Sequence, residues 1–382
     1  MATTHLMLIS DQAAANLLPA LDPALKPARA LLLTTARMEA KARTLQTVLK
    51  QAGIEAHVHM LQHEQDLEGL KAQLLDVVAG GEGEIWMNLT GGTKLMALAA
   101  FDVASAAELR AFYVDIDTDK VTFFGKQIQS HPLSSAVRLS HYLRAYGHTL
   151  LPHKPSDCRQ HHLPLIETLV KEVTHWQRAL GRLNALAQKA EETGALRVRL
   201  NDDQRDSRSL EALLDECERA YVLTRKDDAV VFSSDYDRRF AGGIWLEEHV
   251  SRTIGTMKPE LGITDSLANA EVQSEEGVKN EMDFAFLARN RLFLIECKTA
   301  RMNVDDAAGR DKANDVLYRL SERMRHLGGQ GTRGMLVSYR ELGEAEKKRA
   351  RELHIEVVSG QGLWNLSERL RQWVGGRRSD AA

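Results

Sequence analysis

The chain has 382 residues, of which 43% are apolar and 27% are charged, and its formal net charge is -3. The length predicts two or three domains, and the near balance of charge excludes a globally basic nucleic-acid-binding protein, so any such binding must be local. No apolar run approaches the ~20 residues of a membrane span, and the first residues lack the basic start of a signal peptide, so we expect a cytoplasmic protein without a membrane partner.

The N-terminal third alternates short apolar runs with segments of helical composition. The strand-like runs lie at residues 5–10, 30–35, 55–60, 84–90 and 110–115, and the clearest helical segments lie at 38–52 and 66–78. This alternation predicts a Rossmann-like layout, in which helices cover a parallel sheet. Such sheets bind ligands at the carboxyl ends of their strands.

The most informative turn reads Asn-Leu-Thr-Gly-Gly-Thr-Lys and lies at residues 88–94, between a strand and a helix. Its two glycines let the backbone approach a ligand closely, and the helix N-terminus offers free N–H groups. Two hydroxyls and one cationic side chain complete a predicted anion cradle. The spacing excludes a Walker A loop and the GxGxxG fingerprint. A plain turn with a threonine N-cap is the alternative.

Residues 111–124 predict two strands around an acidic turn. Asp115, Asp117 and Asp119 alternate in this turn, which is one feature of a calcium loop. The glycine and glutamate that an EF-hand requires at later positions are missing, so we expect a solvated turn instead.

The middle of the chain predicts helices followed by a hairpin. Residues 151–155 have the composition of a linker, residues 163–192 and 209–218 favour helices, and residues 220–232 hold two strand runs. This order resembles a winged helix, in which Arg219, Arg225 and Lys226 could touch phosphates. We favour the alternative of a structural spacer that holds the C-terminal domain at a fixed distance from the N-terminal one.

The stretch NEMDFAFLARNRLFLIECKTA predicts a β-hairpin around the turn Arg289-Asn290. With a two-residue turn, Asp283 faces Glu296, and Lys298 shares their face of the sheet. Two carboxylates about 5 Å apart repel by about 3 kcal/mol at an effective dielectric near 20, and a divalent cation between them reverses the sign. A three-residue turn would separate the acids. A surface cluster of salt bridges is the other interpretation.

A helix is predicted upstream, at residues 243–255. Its apolar stripe includes Ile244, Val250 and Ile254, and Glu247 falls within that stripe. Glu248 points elsewhere, and we expect it to be solvated. Downstream, residues 311–327 and 362–373 favour helices, and residues 334–339 and 355–359 favour strands, which closes an α/β domain.

The pattern of Asp283 followed by Glu296, Cys297 and Lys298 resembles the PD-(D/E)XK nuclease core. Together with the turn at 88–94 in a Rossmann-like domain, it resembles the Card/Can family. The resemblance implies cyclic-oligoadenylate-activated nucleases of type III CRISPR immunity. It implies an α/β multidomain protein with a CARF sensor domain at 1–150, a winged-helix-like domain at 151–235 and a PD-(D/E)XK nuclease domain at 236–382.

The resemblance also implies roles for individual residues. Mg or Mn would be held by Asp283, Glu296, the backbone carbonyl of Cys297 and, directly or through water, Glu247. Lys298 would orient the attacking water or pair with the phosphate. A homodimer would bind cyclic tetra-adenylate across its two CARF domains. The residues that would line this site are Ser10, Asp11, Gln12, Thr34, Thr35, Arg37, Asn88, Thr90, Gly91, Gly92, Thr93 and Lys94.

Two other functional classes stay open at this point. One is a ligand-responsive DNA-binding regulator that keeps a non-catalytic nuclease fold, and the other is a constitutive repair or restriction nuclease. The substrate, DNA or RNA, is also open. Since the predicted sensor and the predicted nuclease site lie on either side of the middle domain, we expect activation to travel by domain rearrangement rather than by direct contact.

Overall fold

The N-terminal part forms the parallel sheet that its apolar runs predict. The computed structural model describes residues 2–125, 128–134, 137–152, 159–300 and 307–376. The elements are β1 (Thr3–Leu8), α1 (Ala14–Leu21), β2 (Arg29–Thr34), α2 (Glu39–Gln51), β3 (Glu55–Met60), α3 (Leu67–Ala79), β4 (Glu84–Asn88), α4 (Lys94–Ala106), β5 (Arg110–Asp115), β6 (Lys120–Phe124) and β7 (Gln129–Pro132). The strand order is β3-β2-β1-β4-β5-β6-β7, and only the pairs that involve β6 are antiparallel. Nearly continuous apolar strands such as β2 fit a sheet covered on both faces.

The middle part contains the predicted helices and hairpin. Helix α5 (Leu139–Ala145) and strand β8 (His148–Leu150) come before it and belong to the N-terminal part. Its own elements are α6 (Leu163–Lys171), α7 (Val173–Glu192), β9 (Arg197–Arg199), α8 (Asp202–Arg205), α9 (Arg208–Arg219), β10 (Leu223–Lys226), β11 (Ala229–Phe232) and α10 (Asp235–Arg239). Strands β10, β11 and β9 form a small antiparallel sheet. A winged-helix arrangement stays a prediction, and residues 153–155 of the predicted linker lie outside the described residues.

The arginines of the middle part contact acids of the same chain. Arg219 pairs with Glu216, and Arg225 pairs with Asp215 and, at 2.7 Å, with Glu218. A guanidinium that is already paired gains less from a phosphate, so these contacts favour a structural role for the middle part.

The C-terminal part is an α/β unit with a mixed sheet. Its elements are α11 (Trp245–Leu261), β12 (Ile263–Ser274), β13 (Lys279–Ala288), β14 (Arg291–Lys298), α12 (Ala307–Gly328), β15 (Arg333–Ser338), α13 (Glu344–Glu352), β16 (Ile355–Ser359) and α14 (Leu366–Gly375). The strand order is β16-β15-β14-β13-β12-β8. Within the described residues, the helices all lack the length and apolar character that a membrane crossing requires.

The N-terminal and C-terminal parts touch directly, which corrects the expectation of a spacer between them. Strand β8, which precedes the middle part, pairs antiparallel with β12 from Val272↔Leu150 to Ser274↔His148. The Tyr142 hydroxyl donates to the carbonyl of Gly328, at the end of α12, over 3.4 Å. One continuous apolar core runs from α1 and α2 to one face of the C-terminal sheet, and a second core joins the other face to α7 and α9. The middle part therefore packs beside the nuclease-like sheet instead of separating it from the N-terminal domain.

The acidic turn between β5 and β6 is a second direct contact, where sequence alone predicted a solvated turn. Arg291 Nη2 donates to the carbonyls of Ile116 at 3.1 Å and Asp117 at 2.7 Å, and to the Asp117 carboxylate at 3.0 Å. Asn290 Nδ2 donates to Asp119 Oδ1 at 3.3 Å. Residues of the β13–β14 hairpin thus bind this turn. Such a contact between distant parts of the chain cannot be predicted from the sequence of the turn alone.

Candidate functional site

Two acids meet where strands β13 and β14 diverge. The hairpin has the predicted two-residue turn, since Ala288 pairs with Arg291 and the register continues to Phe284↔Ile295. Beyond that pair β14 continues beside β15, and the Asp283 carboxylate accepts the N–H of Cys297 at 2.7 Å. This hydrogen bond replaces a strand-to-strand contact and fixes the Asp283 side chain beside Glu296.

Two cations surround the Glu296 carboxylate. Lys298 Nζ lies 2.7 Å from Glu296 Oε1 and 3.8 Å from Asp283 Oδ2. Arg323 Nη1, from α12, lies 2.6 Å from Glu296 Oε2. The side chains of Asp283 and Glu296 are only 14% and 10% exposed. The acids therefore do not form the solvated surface cluster that was the alternative interpretation.

Sequence reasoning missed Arg323 because the rotation of α12 over the sheet was unknown. Leu320, Met324 and Leu327 are buried on this helix, and Arg323 is half-buried at the edge of their stripe. The one feature of the sequence that could have indicated Arg323 is its position as a cationic residue next to the apolar stripe of its helix.

Glu247 joins the cluster from α11. Burial, and then the charge of Asp283, raise the pKa of Glu247 well above its ordinary value. Burial, and then the charge of Glu296, raise the pKa of Asp283. Burial lowers the pKa of Lys298, but the charges of Asp283 and Glu296 outweigh it, and the net shift is upward. The four residues predicted for catalysis thus lie within electrostatic reach of one another.

The approach of α11 to this cluster depends on Gly243. Its φ is +136°, in a region that side chains rarely allow, and a Cβ there would collide with the Thr299 hydroxyl just beyond β14. Glycine lets the start of α11 lie against the end of β14, one turn before Glu247.

Two neighbours of these residues lie in the core. Glu248, expected in solvent, is 4% exposed and its carboxylate contacts the Tyr236 hydroxyl. That expectation was wrong because the middle part covers this side of α11. Cys297 is 5% exposed and packs in the apolar core of the opposite sheet face, so its thiol is a core group, as predicted. Burial raises the pKa of this thiol.

The turn at residues 88–94 carries both structural and accessible groups. Asn88 is fully buried. Its side-chain Nδ2 donates to Ala15 O and Asn16 Oδ1, and its side-chain Oδ1 accepts from Thr90 N and Thr90 Oγ1. Thr93 caps α4 by accepting from Met96 N at 3.2 Å. The side chain of Lys94 is exposed at the first position of that helix.

The packing of the fold by itself explains why both positions of this turn are glycine. A Cβ on Gly91 would collide with the carbonyl of Leu8 in β1. Gly92 has a φ of +73°, and a Cβ there would lie 3.1 Å from Leu8 Cβ. Their presence does not by itself indicate a bound phosphate.

The other residues predicted to line the sensor site divide by exposure. Thr34 and Thr35 are buried, whereas Arg37 and Asp11 are exposed. Asp11 pairs with Lys41, and Ser10 Oγ accepts from the N–H of Gln12 at 3.3 Å. These side chains surround the carboxyl ends of β1 and β2, where a ligand of such a sheet would bind.

A cavity of about 950 Å³ lies between the N-terminal and C-terminal parts. Ser10, Asp11 and Gln12 line one wall, and Asn280 and Arg323 line the other. Gln12 also crosses the interface, where its Oε1 accepts from the N–H of Gln330 at 3.2 Å. The predicted sensor rim therefore borders the same cavity as Arg323, the residue that pairs with Glu296.

Family profiles match both ends of the chain. The profile of the Card1 CARF domain matches residues 4–142, and that of the Card1-like endonuclease domain matches residues 234–376. No curated protein sequence gives a significant match.

Solved structures match almost the whole length. The protein VC1899 from Vibrio cholerae is 25% identical, with a TM-score of 0.88 over 98% of this chain and 99% of that one. Can2 from Sulfobacillus thermosulfidooxidans, solved with cyclic tetra-adenylate, is 24% identical, with a TM-score of 0.81 over 98% and 97% of the two chains. A type III CRISPR defence DNA nuclease activated by cyclic oligoadenylate is 20% identical, with a TM-score of 0.53 over 90% of this chain and 46% of that one.

Proposed function

Since this chain belongs to the Card/Can family, in which a CARF domain is joined to an endonuclease domain, we propose that it is a metal-dependent nuclease switched on by cyclic tetra-adenylate. The reaction would be hydrolysis of phosphodiester bonds in DNA, RNA or both. The observation that carries the proposal is the close grouping of Glu247, Asp283, Glu296 and Lys298.

The donor set of this cluster fits Mg or Mn. Hard divalent cations prefer oxygen ligands, and the largely buried carboxylates of Asp283 and Glu296 supply them. Burial, and then the neighbouring carboxylates, raise the pKa values of Glu247 and Asp283, and a bound cation would stabilise their charged forms against both effects. The backbone carbonyl of Cys297 and the Glu247 carboxylate would complete the set.

The chain's own groups would prepare the reacting atoms. A bound cation supplies Lewis-acid activation of water and neutralises charge on the scissile phosphate. Asp283 is held in place by the Cys297 N–H, so little reorganisation is needed. Lys298 lies between the two acids and is placed to orient a water molecule or to pair with a phosphate oxygen.

The activator would bind on the N-terminal sheet. Cyclic tetra-adenylate is the ligand of the related Can2 structure. Here the N-terminus of α4, the exposed Lys94 and the hydroxyl of Thr93 would offer donors to a phosphate, while the Thr90 hydroxyl donates to Asn88. Asn88 supports the proposal indirectly, since it holds Thr90 in place.

A homodimer would place two such cradles around one ring-shaped ligand. Helix α4 starts at the cradle and exposes Leu95, Leu98 and Phe101, of which Leu98 is 59% accessible. Their spacing puts Leu95, Leu98 and Phe101 on one side of the helix, next to the cradle. An exposed apolar row there is consistent with a partner subunit covering it.

The test is a cleavage assay on the full chain with matched DNA and RNA substrates. Each is incubated with and without each cyclic oligoadenylate, in Mg, Mn or EDTA. We expect low activity without activator, a steep rise with cyclic tetra-adenylate, and none in EDTA. Asp283→Asn and Glu296→Gln should abolish cleavage while the circular dichroism spectrum stays unchanged.

Three outcomes would contradict the proposal. Activator-independent cleavage would indicate a constitutive nuclease, and binding without cleavage would indicate a regulator. Near-wild-type cleavage by either carboxylate variant would show that the metal site is elsewhere.

A further inference from the structure

Two arginines on one face of α12 have no assigned role in the cleavage chemistry. Arg319 and Arg323 are four residues apart, so their side chains leave the helix on the same face, with Cβ atoms about 6 Å apart. Both line the interdomain cavity. Arg319 is exposed, and the side chain of Arg323 is 23% exposed.

Arg323 connects this cavity to the carboxylate cluster. Its Nη1 lies 2.6 Å from Glu296 Oε2, while Lys298 occupies the other oxygen of that carboxylate at 2.7 Å. A guanidinium carries five N–H donors in a planar fork, so contact with one carboxylate oxygen leaves donors for a second anion. The side chain is therefore placed to hold a phosphate immediately beside Glu296.

Several acids of the cavity are engaged within the chain. Asp11 pairs with Lys41, the Thr44 hydroxyl donates to Glu275 at 2.5 Å, and Glu322 lies 3.9 Å from His326. Glu276 also lines the cavity, and α12 contributes three arginines to its lining, Arg319, Arg323 and Arg325, of which Arg323 reaches Glu296.

We propose that Arg323 and Arg319 bind two successive phosphodiester groups of the nucleic acid that is cut at the Asp283–Glu296 cluster. This inference rests on the proposed function. The spacing of the two side chains is close to that of neighbouring phosphates in an extended strand, and guanidinium groups bind phosphate bidentately. The strand would follow α12 through the cavity, with Arg323 nearest the scissile bond.

The same phosphodiester chemistry occurs in the cyclic activator, and Asp11 and Gln12 of the predicted sensor rim border the same cavity. The experiment must therefore separate the substrate from the activator. It uses full-length Arg319→Gln, Arg323→Gln and Arg323→Lys. Lys348→Gln is the matched control, because Lys348 is exposed on α13 and does not line the cavity.

Two measurements are made on each variant. The first is steady-state cleavage of a labelled oligonucleotide at saturating cyclic tetra-adenylate in Mn, together with the activator concentration that gives half-maximal rate. The second is binding of the same oligonucleotide, by fluorescence anisotropy at several salt concentrations, in an Asp283→Asn background that does not cut.

Each arginine-to-glutamine change should raise KM about tenfold, and KM should rise by more than kcat falls. The slope of log affinity against log salt should fall by about 0.7 for each arginine removed, as expected for a single strand. Arg323→Lys should recover part of the affinity, since it keeps the charge and loses the fork. Lys348→Gln should match the parent protein.

Unchanged KM and affinity in both glutamine variants would overturn the inference. So would a shift confined to the activator concentration, which would assign the arginines to activator binding. If Arg323→Gln does not fold, the exposed Arg319→Gln decides the result. Failure of the parent protein to cut any substrate would count against the proposed function alone, because the anisotropy measurement still tests the arginines.

Discussion

Glu247 and Glu248 are adjacent in sequence and lie in different environments. The first joins the carboxylate cluster, and the second is buried against Tyr236. Helical periodicity separated the two side chains, because Glu247 falls in the apolar stripe of its helix. The same periodicity led to a wrong expectation of exposure for Glu248. An apolar stripe shows in which direction a side chain leaves its helix, but not whether another part of the chain covers that side chain.

This difference leads to a paired prediction. Glu247→Gln should lower cleavage at least about tenfold with little change in stability, because it removes a carboxylate from the proposed metal site. Glu248→Gln should keep cleavage within about threefold and lower the free energy of unfolding by about 1 kcal/mol, because it weakens the buried contact with Tyr236. Cleavage rates and urea unfolding of both variants give the comparison. Equal loss of cleavage in the two would contradict the assignment.

His5 gives a prediction about pH and stability. It is fully buried in β1, with ring centroids 5.4 Å from Trp86 and 5.3 Å from Phe112, and burial lowers the pKa of His5 to about 3. The unfolded chain binds a proton at this residue below pH 6.5, whereas the folded chain does not until about pH 3. The free energy of unfolding should therefore fall as the pH drops below 6.5, by about 2 kcal/mol at pH 5.

The check is urea denaturation at pH 7 and pH 5. His5→Phe should remove about 2 kcal/mol of the difference between the two pH values. The control is His57→Phe on the neighbouring region of the sheet, where the side chain is 61% exposed. If wild type and His5→Phe lose the same stability on acidification, the effect comes from other groups.

At the scale of elements, long periodic segments were predictable and short or packing-dependent ones were not. The β13–β14 register followed from apolar alternation on both sides of Arg289-Asn290, whose φ values of +50° and +55° suit a two-residue turn. Strand β8 escaped prediction because its three residues carry no period. The turn at 88–94 was located correctly, yet its glycines serve contacts with β1, which are invisible from the turn alone.

That turn gives a prediction at the element scale. Gly91→Ala should destabilise the N-terminal sheet with or without activator, because the added Cβ collides with the carbonyl of Leu8. Lys94→Ala should leave thermal stability unchanged and weaken cyclic tetra-adenylate binding about tenfold, which corresponds to one charge-assisted contact. Thermal unfolding and calorimetry distinguish the two effects. Unchanged affinity in Lys94→Ala would exclude this cradle from the activator site.

At the scale of the whole molecule, direct contacts between the N-terminal and C-terminal parts replace the expected separation. Sequence showed two domains with a segment between them in chain order, and order along the chain does not give distance in space. Arg291 is 8% exposed in the interface and begins β14, the strand that carries Glu296 and Lys298. Strand β14 thus links the β5–β6 turn of the CARF domain to the residues proposed for catalysis.

This link predicts that a variant of Arg291 still binds the activator but shows a smaller increase in cleavage when the activator is added. Arg291→Gln should remove the contacts to Ile116 and Asp117, and the ratio of activated to basal cleavage should fall at least fivefold, the lower end of common coupling energies. Calorimetry should still detect cyclic tetra-adenylate binding. The control is Arg289→Gln, an exposed neighbour in the same turn. An unchanged activation ratio in Arg291→Gln would show that the signal takes another route.

The pairing of β8 with β12 has a consequence for how the protein is made. Residues 148–150 leave the ribosome before any other strand of the C-terminal sheet exists, because chains emerge from the N-terminus. The nuclease sheet can therefore gain its edge strand only from a chain in which the CARF domain has already been synthesised. A product of internal initiation, or a proteolytic fragment that begins after residue 150, would lack that edge. The endonuclease domain therefore obtains its complete sheet only as part of a chain that also contains the CARF domain.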